Sequence, residues 1–473
     1  MNISKSEKAA FRIGFSHLIQ ALFGFLRLKV LTNFLGPSGY ALYALLVSNV
    51  TVTTALSKGA IEFITVRRFS SFQNFQFKNK LNSFNRILKV SFIYSLVSCF
   101  FQLPISYYVF IRYDEITLYI LSSLIFVFFV VNGSFVMALM QGIQEFRIYA
   151  KTYLISSIVG SCIQILCVLS FSKYQAPIAI ALAAFSQFLI QFYSLRIIQR
   201  KFNFKFKRKI KISKGYLKII SINGAAKASS ASLVMLSQFI IILFLTANAS
   251  NLNVASYFAF NGITIQVSAL VMIGVSSAFF PNLVSIYKNN RISFEKEVYS
   301  QTSFISFILF PFVIFLILYE KEIIRLLLNE DYILGNNLFG FMAVSTYGAS
   351  MKQSFDLSLF CNEKNKYFLN TTFFSSVLLV LSVVIGFYSS GINGMAWGLI
   401  FHSYITGIVI IITSLIIYKF QVKILKFAVL FLLLSLSLII SMISDSISLI
   451  FSIIIFVISV LVSVFFFYKR NLI

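Results

Sequence analysis

Five cations stand inside long apolar runs of this sequence: Arg27, Lys29, Lys58, Lys227 and Lys352. A charge in hydrocarbon costs roughly 3 kcal/mol or more, so each must face a protein interior, a watery cavity or the membrane surface. Their shared chemistry is to hold a negative group. Lys58, Lys227 and Lys352 each lie about eight to ten residues from the basic end of their run, about 12–15 Å deep at the rise of a helix. At one depth they would form a cationic belt. Arg27, about 24 Å from the same side, would meet an anion moving onward.

A purely local reading stands beside this one. Lys29 is close enough to a surface to snorkel. Lys58 with Glu62, and Lys352 with Asp356, are i, i+4 neighbours that can neutralise one another. Lys227 has no such acid; it stands in GAAKASSAS, small residues suited to close packing or a cavity wall, and is the best single candidate. Asn49, Ser57, Asn223, Ser229, Ser230, Gln238, Asn261 and Gln266 add amides and hydroxyls to the same runs, some of which only bridge helices. Positives with amides and hydroxyls point to a phosphate-bearing sugar compound.

Catalytic groupings are absent from the sequence. His17 and His402 have no partner at ligand spacing, and no Gly-rich phosphate loop, G-x-S-x-G or H-E-x-x-H occurs. We therefore expect no catalytic residue, no metal, no cofactor and no ATP hydrolysis. Cys99, Cys162, Cys167 and Cys361 lie in or beside apolar runs without a C-x-x-C pair, as small core residues do.

The elements that must position these groups are membrane helices. The chain is 59% hydrophobic over 473 residues with a mean hydropathy of +0.88, far from a soluble domain. About fourteen segments can each cross a bilayer: roughly 11–35, 41–66, 87–110, 116–140, 149–171, 176–198, 217–246, 252–280, 298–319, 333–360, 368–389, 391–417, 425–443 and 447–468. Continuous runs of this kind exclude a β-barrel.

The net charge of +26 does not indicate nucleic acid, because its placement is that of membrane topology. Of 40 cations, 31 fall at the N-terminus or in alternate connections; Arg112, Lys173, Lys321 and Arg325 fall in the others, beside seven of the fourteen acids. This asymmetry predicts both termini in the cytoplasm. Lys5, Lys8 and Arg12 precede a run broken by His17, Gln20 and Arg27, which reads as an uncleaved first helix. The outer connections are short, the longest near 320–331, with no room for an extramembrane domain.

Internal repetition sets the organisation. Tyr43 matches Tyr257, 214 residues on, and Arg67 and Pro281 each follow 24 positions later. APIAIALA and GINGMAWG open two further segments at a similar offset. The expected fold is an all-α polytopic membrane protein of two parallel six-helix repeats plus two C-terminal helices. Its parts would be an N-lobe over 1–198, a basic linker over 199–216 lying on anionic headgroups, a C-lobe over 217–417, and an appended pair over 418–473.

The basic residues of the first helix, the turn FLGPSGYALYALL and Pro281 ending the eighth helix resemble the Wzx-type polysaccharide flippases of the multidrug/oligosaccharidyl-lipid/polysaccharide exporter superfamily. That resemblance covers the whole chain. It implies translocation of an undecaprenyl-pyrophosphate-linked oligosaccharide unit from the cytoplasmic to the outer leaflet of the inner membrane, for O-antigen (lipopolysaccharide) or capsule. It implies alternating access through a cationic cavity lined by Arg27, Lys58 and Lys227, with Lys352 added by the depth argument. H+ or Na+ coupling through Glu62 or Asp356 also follows from it, as do a polymerase and a chain-length regulator as partners. The rival functions are a lipid II flippase, a multidrug exporter of the MATE kind, and a membrane polysaccharide polymerase. A multidrug exporter would want lone acids in the cavity, and a polymerase a long outer loop.

Overall fold

The Gly-Pro-Ser-Gly turn sits inside α1, Lys5–Ser70, where Gly36 adopts φ 62° and ψ 179°. A positive φ is strained for any residue with a Cβ, so glycine sets the bend. Pro37 follows with its φ already suited to a first helical position. A second bend lies in α12, Lys366–Tyr418, at Ser390 and Gly391, the glycine again at positive φ (63°). Between those bends run α2 (Phe77–Phe110), α3 (Ile116–Gly142), α4 (Phe146–Ser170), α5 (Gln175–Lys201), α6 (Lys214–Asn248), α7 (Asn251–Asn289), α8 (Arg291–Leu318), α9 (Glu320–Leu327), α10 (Leu338–Met351) and α11 (Gln353–Cys361). Two more, α13 (Ile424–Ile443) and α14 (Leu449–Lys469), end the chain.

This computed structural model describes residues 5–70, 77–143, 145–170, 175–202, 214–334, 337–361, 366–421 and 424–469, with fewer side chains than backbones. Among the described residues there is no strand, and nine helical stretches are long and apolar enough to cross a membrane. Two of those nine, of 44 and 52 residues, contain the two bends. The chain is thus an all-α, multi-pass membrane protein.

The chain divides into two compact units. One spans Phe15–Ala247; the other comprises Asn248–Ile473 with Met1–Gly14. In the first, short connections make α2, α3, α4 and α5 antiparallel neighbours. Polar side chains join them. Gln187 and Gln191 of α5 nest over Gly160 of α4 and Gly133 of α3, where an added methyl would lie 2.0 and 1.9 Å from the glutamine side chains. Thr152 donates to Ser194 at 2.7 Å. In a membrane such bonds and small residues replace the hydrophobic effect as the source of helix cohesion.

In the second unit α8 is the central helix, packed by α7, α10, α11, α13 and α14. Asn290 caps it by accepting from the Ser293 N–H at 3.1 Å. Phe294, Tyr299, Phe355, Tyr418 and Phe420 form an aromatic core around its start. The two halves of α12 close on small residues, since a methyl on Gly394 would lie 1.9 Å from the Gly386 carbonyl oxygen. The connection between α8 and α10 holds a short helix that the sequence pattern did not announce: α9 buries Ile323 and Ile324 while Leu326 is exposed.

Replacing Gly394 by Val should cost about 1–3 kcal/mol through overpacking and lower the melting temperature in detergent by several degrees. Gly262→Ala, where a methyl meets nothing within 4 Å, should leave it unchanged or raise it. Equal melting of both variants with the parent would show that the Gly386–Gly394 contact does not hold the hairpin.

Candidate functional site

Arg27 stands on the first half of α1, part-buried, with its Nε shut from solvent and without a hydrogen-bond partner. Among the described residues no carboxylate lies within ion-pair distance of it. The group that feels its charge is Tyr43, beyond the bend on the second half of α1. Tyr43 is buried, stacked on Tyr40 at 5.7 Å, and its hydroxyl donates to Gln164 Oε1 of α4 at 3.4 Å. A guanidinium with no anionic partner is an arrangement that an anionic ligand would complete.

Lys58 does form the local pair. Its Nζ lies 3.7 Å from Glu62 Oε1, with side chains 47% and 35% exposed. A pair this open to solvent contributes less than about 1 kcal/mol, so an arriving anion can compete for the ammonium.

Lys352 behaves differently. It is the residue between α10 and α11, only 9% exposed, and its Nζ donates to Thr406 Oγ1 of α12 at 3.1 Å. Thr406 in turn donates to the His402 carbonyl at 2.8 Å. Asp356 acts on Lys352 electrostatically but lies outside ion-pair distance among the described pairs. His402 also feels Lys352, and its Nε2 is 3.1 Å from the Ser375 hydroxyl. Beside Lys352 is a cavity with about 30 Å³ open to the centre of a water molecule, lined in part by Thr302, Ser403 and Tyr404. That is room for a water, not for a sugar.

Arg27, Lys58 and Glu62 therefore belong to the first unit, Lys352 and Asp356 to the second. The side chains of Lys227 and Asn223 lie outside the described residues. Two of the hydroxyl and amide candidates, Asn49 and Ser57, prove to be helix bridges, and Thr53 joins them. Asn49 donates to Ser106 at 3.0 Å, Ser57 meets Ser98, and Thr53 donates to Gln102, all between α1 and α2. Gln266 keeps a buried Oε1 without a partner, while Ser230 and Gln238 have contacts of their own.

The structure adds groups that sequence reasoning passed over. The ring centroids of His17 and Tyr153 are 4.5 Å apart, and Tyr149 and Tyr153 stack at 6.0 Å. His17 Nδ1 donates to Gln20 Oε1 at 3.1 Å, and Gln20 also bonds Tyr153. Tyr149 lies beside Gln141 of α3 and feels the charge of Glu62. The signal available in the sequence was the i, i+3, i+10 spacing of His17, Gln20 and Arg27 along one helix face.

A family model described as polysaccharide biosynthesis protein matches residues 7–287. The structure of the lipid II flippase MurJ in an inward closed conformation is similar at a TM-score of 0.72 and 14% identity, covering 97% of this chain and 99% of that one. A multidrug resistance MATE family transporter of the MOP superfamily is similar in its inward-facing form (TM-score 0.65, 16% identity, 87% of this chain and 98% of that one). Its outward-facing form gives 0.63 and 18%, covering 88% and 96%. No protein of curated function matches the chain by sequence.

Thr406→Val should leave the buried Lys352 ammonium without its acceptor and cost about 2–3 kcal/mol, read as a fall in melting temperature in detergent. The double variant Lys352→Met with Thr406→Val should recover most of that loss. Additive losses would show that the two side chains are not coupled.

Proposed function

Because the chain belongs to the polysaccharide biosynthesis protein family, we propose that it is a flippase for undecaprenyl-pyrophosphate-linked oligosaccharides. It carries each repeat unit from the cytoplasmic to the outer leaflet of the inner membrane for O-antigen or capsule synthesis, with both termini cytoplasmic. The observation that carries this reading is the guanidinium of Arg27, embedded in a membrane-spanning unit with no anionic partner among the described residues. A pyrophosphate supplies the missing charge and accepts in the paired geometry that suits Arg. Lys58 and Lys227 add cations on the cytoplasmic side, and Lys352, buried against Thr406, adds its charge from within the C-lobe.

The protein is a transporter and not an enzyme in this account, since its fold neighbours are a flippase and exporters. Its lobes, 1–198 and 217–417, alternate between inward- and outward-open states. Asp356, the carboxylate nearest Lys352 in charge, is the candidate for H+ or Na+ coupling, with Glu62 as the second. A polymerase and a chain-length regulator receive the product.

The fold likeness to MurJ supports lipid II as the second cargo. Lipid II is also a polyprenyl diphosphate, so the same cations would serve it.

In proteoliposomes with a fluorescent polyprenyl-pyrophosphate oligosaccharide, an impermeant reagent reports which leaflet holds the sugar. Arg27→Ala should slow exchange by about a hundredfold, the value of one to two charge-assisted bonds, and Arg27→Lys by less. Efflux of cationic dyes by a parent protein that moves no glycolipid would instead put it among multidrug exporters.

A further inference from the structure

One polar cluster of the first unit, formed by His17, Gln20, Tyr149 and Tyr153, has no role in the account so far. Along α1, His17, Gln20 and Arg27 fall within one face over about 15 Å. Along α4, Tyr149, Tyr153 and Gln164 do the same over about 22 Å. Beyond the α1 bend, Tyr43, Lys58 and Glu62 share a third face, and Tyr43 to Lys58 again spans about 22 Å. The three faces meet at matching levels. Glu62 acts on Tyr149, Gln20 and His17 hold Tyr153, and Tyr43 links Arg27 with Gln164.

The sequence of chemistries along this surface is cation, neutral, cation. Lys58 with Glu62 stands at one end and Arg27 with Tyr43 at the other, and the groups between them include the amides of Gln20 and Gln141, the imidazole of His17 and the phenol rings of Tyr149 and Tyr153. The middle is not apolar packing, which a membrane helix would supply at lower cost. Nor is its hydrogen-bonding capacity used up. Gln20 Oε1 can only accept, so His17 donates from Nδ1 and keeps Nε2 as an acceptor. Each glutamine amide offers two N–H groups, and Tyr153, Gln20, Gln141 and Arg27 are all part-exposed. Rings with hydroxyl and amide neighbours match sugars, which present C–H faces and hydroxyl edges.

We propose that this surface is a glycan track. The oligosaccharide of the cargo lies along Gln141, Tyr153 and Gln20, backed by the buried rings of Tyr149 and His17, while the diphosphate is held by Lys58 at one end of the passage and by Arg27 at the other. The inference rests on the flippase reading and adds to it where the sugar is read. It makes glycan length a determinant of transport, because a single sugar cannot bridge the middle of the track.

Two probes test it in proteoliposomes: a fluorescent polyprenyl diphosphate bearing one N-acetylhexosamine, and the same lipid bearing a tetrasaccharide. Gln20→Met and Tyr153→Leu should each slow exchange of the tetrasaccharide lipid about tenfold while slowing the monosaccharide lipid less than about twofold, the difference a lost sugar hydrogen bond makes. Arg27→Ala should slow both. Equal slowing of the two lipids by Gln20→Met, or none, overturns the track, and the monosaccharide rate controls for misfolding. If the parent protein moves neither lipid, the flippase reading falls, and native mass spectrometry of the detergent-solubilised protein decides the track alone. Preferential retention of the tetrasaccharide lipid, lost in Gln20→Met, supports it; equal retention overturns it.

Discussion

A charge placed in hydrocarbon has to be answered, and the ways this chain answers its own charges organise the rest of its structure. Glu62 answers Lys58 through a half-exposed pair. Lys352 is buried beside Thr406, with Asp356 and His402 close enough to feel it. Arg27 is left with Tyr43 as an electrostatic neighbour and an Nε that bonds to nothing. The difference between these solutions separates a cation that the fold has neutralised from one that awaits a partner. A part-buried guanidinium without an anionic partner is a cost that selection tolerates where function requires it.

The same rule sorts the neutral polar groups. In the first unit, Asn49, Thr53 and Ser57 bond across a seam to Ser106, Gln102 and Ser98, so they hold α1 against α2. Gln187 and Gln191 lie over glycines and serve the packing of α5. His17 is bonded to Gln20, and Tyr153 is in ring contact with both His17 and Tyr149, yet these groups keep capacity to spare. Cohesion by bridges leaves the wall of the unit polar where it is not lipid-facing, which is what a hydroxyl-rich cargo needs.

How much of this the sequence disclosed follows from which signals survive in one dimension. The bend at Gly36 was legible, because Gly-Pro demands a local conformation. The all-helical membrane fold was legible from run length alone. The break at Lys352 was not, since neither glycine nor proline marks it in the stretch SMKQS. α9 was missed because eight residues carry too little periodicity to stand out. Asn49 and Ser57 stood open between ligand and helix bridge because a sequence cannot show that Ser106 and Ser98 stand opposite them. Lys58 and Lys352 offered the same i, i+4 pattern, and only packing decided that one pairs locally while the other turns to Thr406.

The central claim is that an unanswered intramembrane cation selects a phosphate-bearing cargo. The most direct test compares two glycolipids in proteoliposomes, identical in polyprenyl chain and glycan, one joined by a pyrophosphate and the other by a neutral ether. The account predicts protein-dependent exchange of the pyrophosphate form and little above background for the neutral one. Equal exchange of both would show that the charge on the cargo is not what the protein recognises.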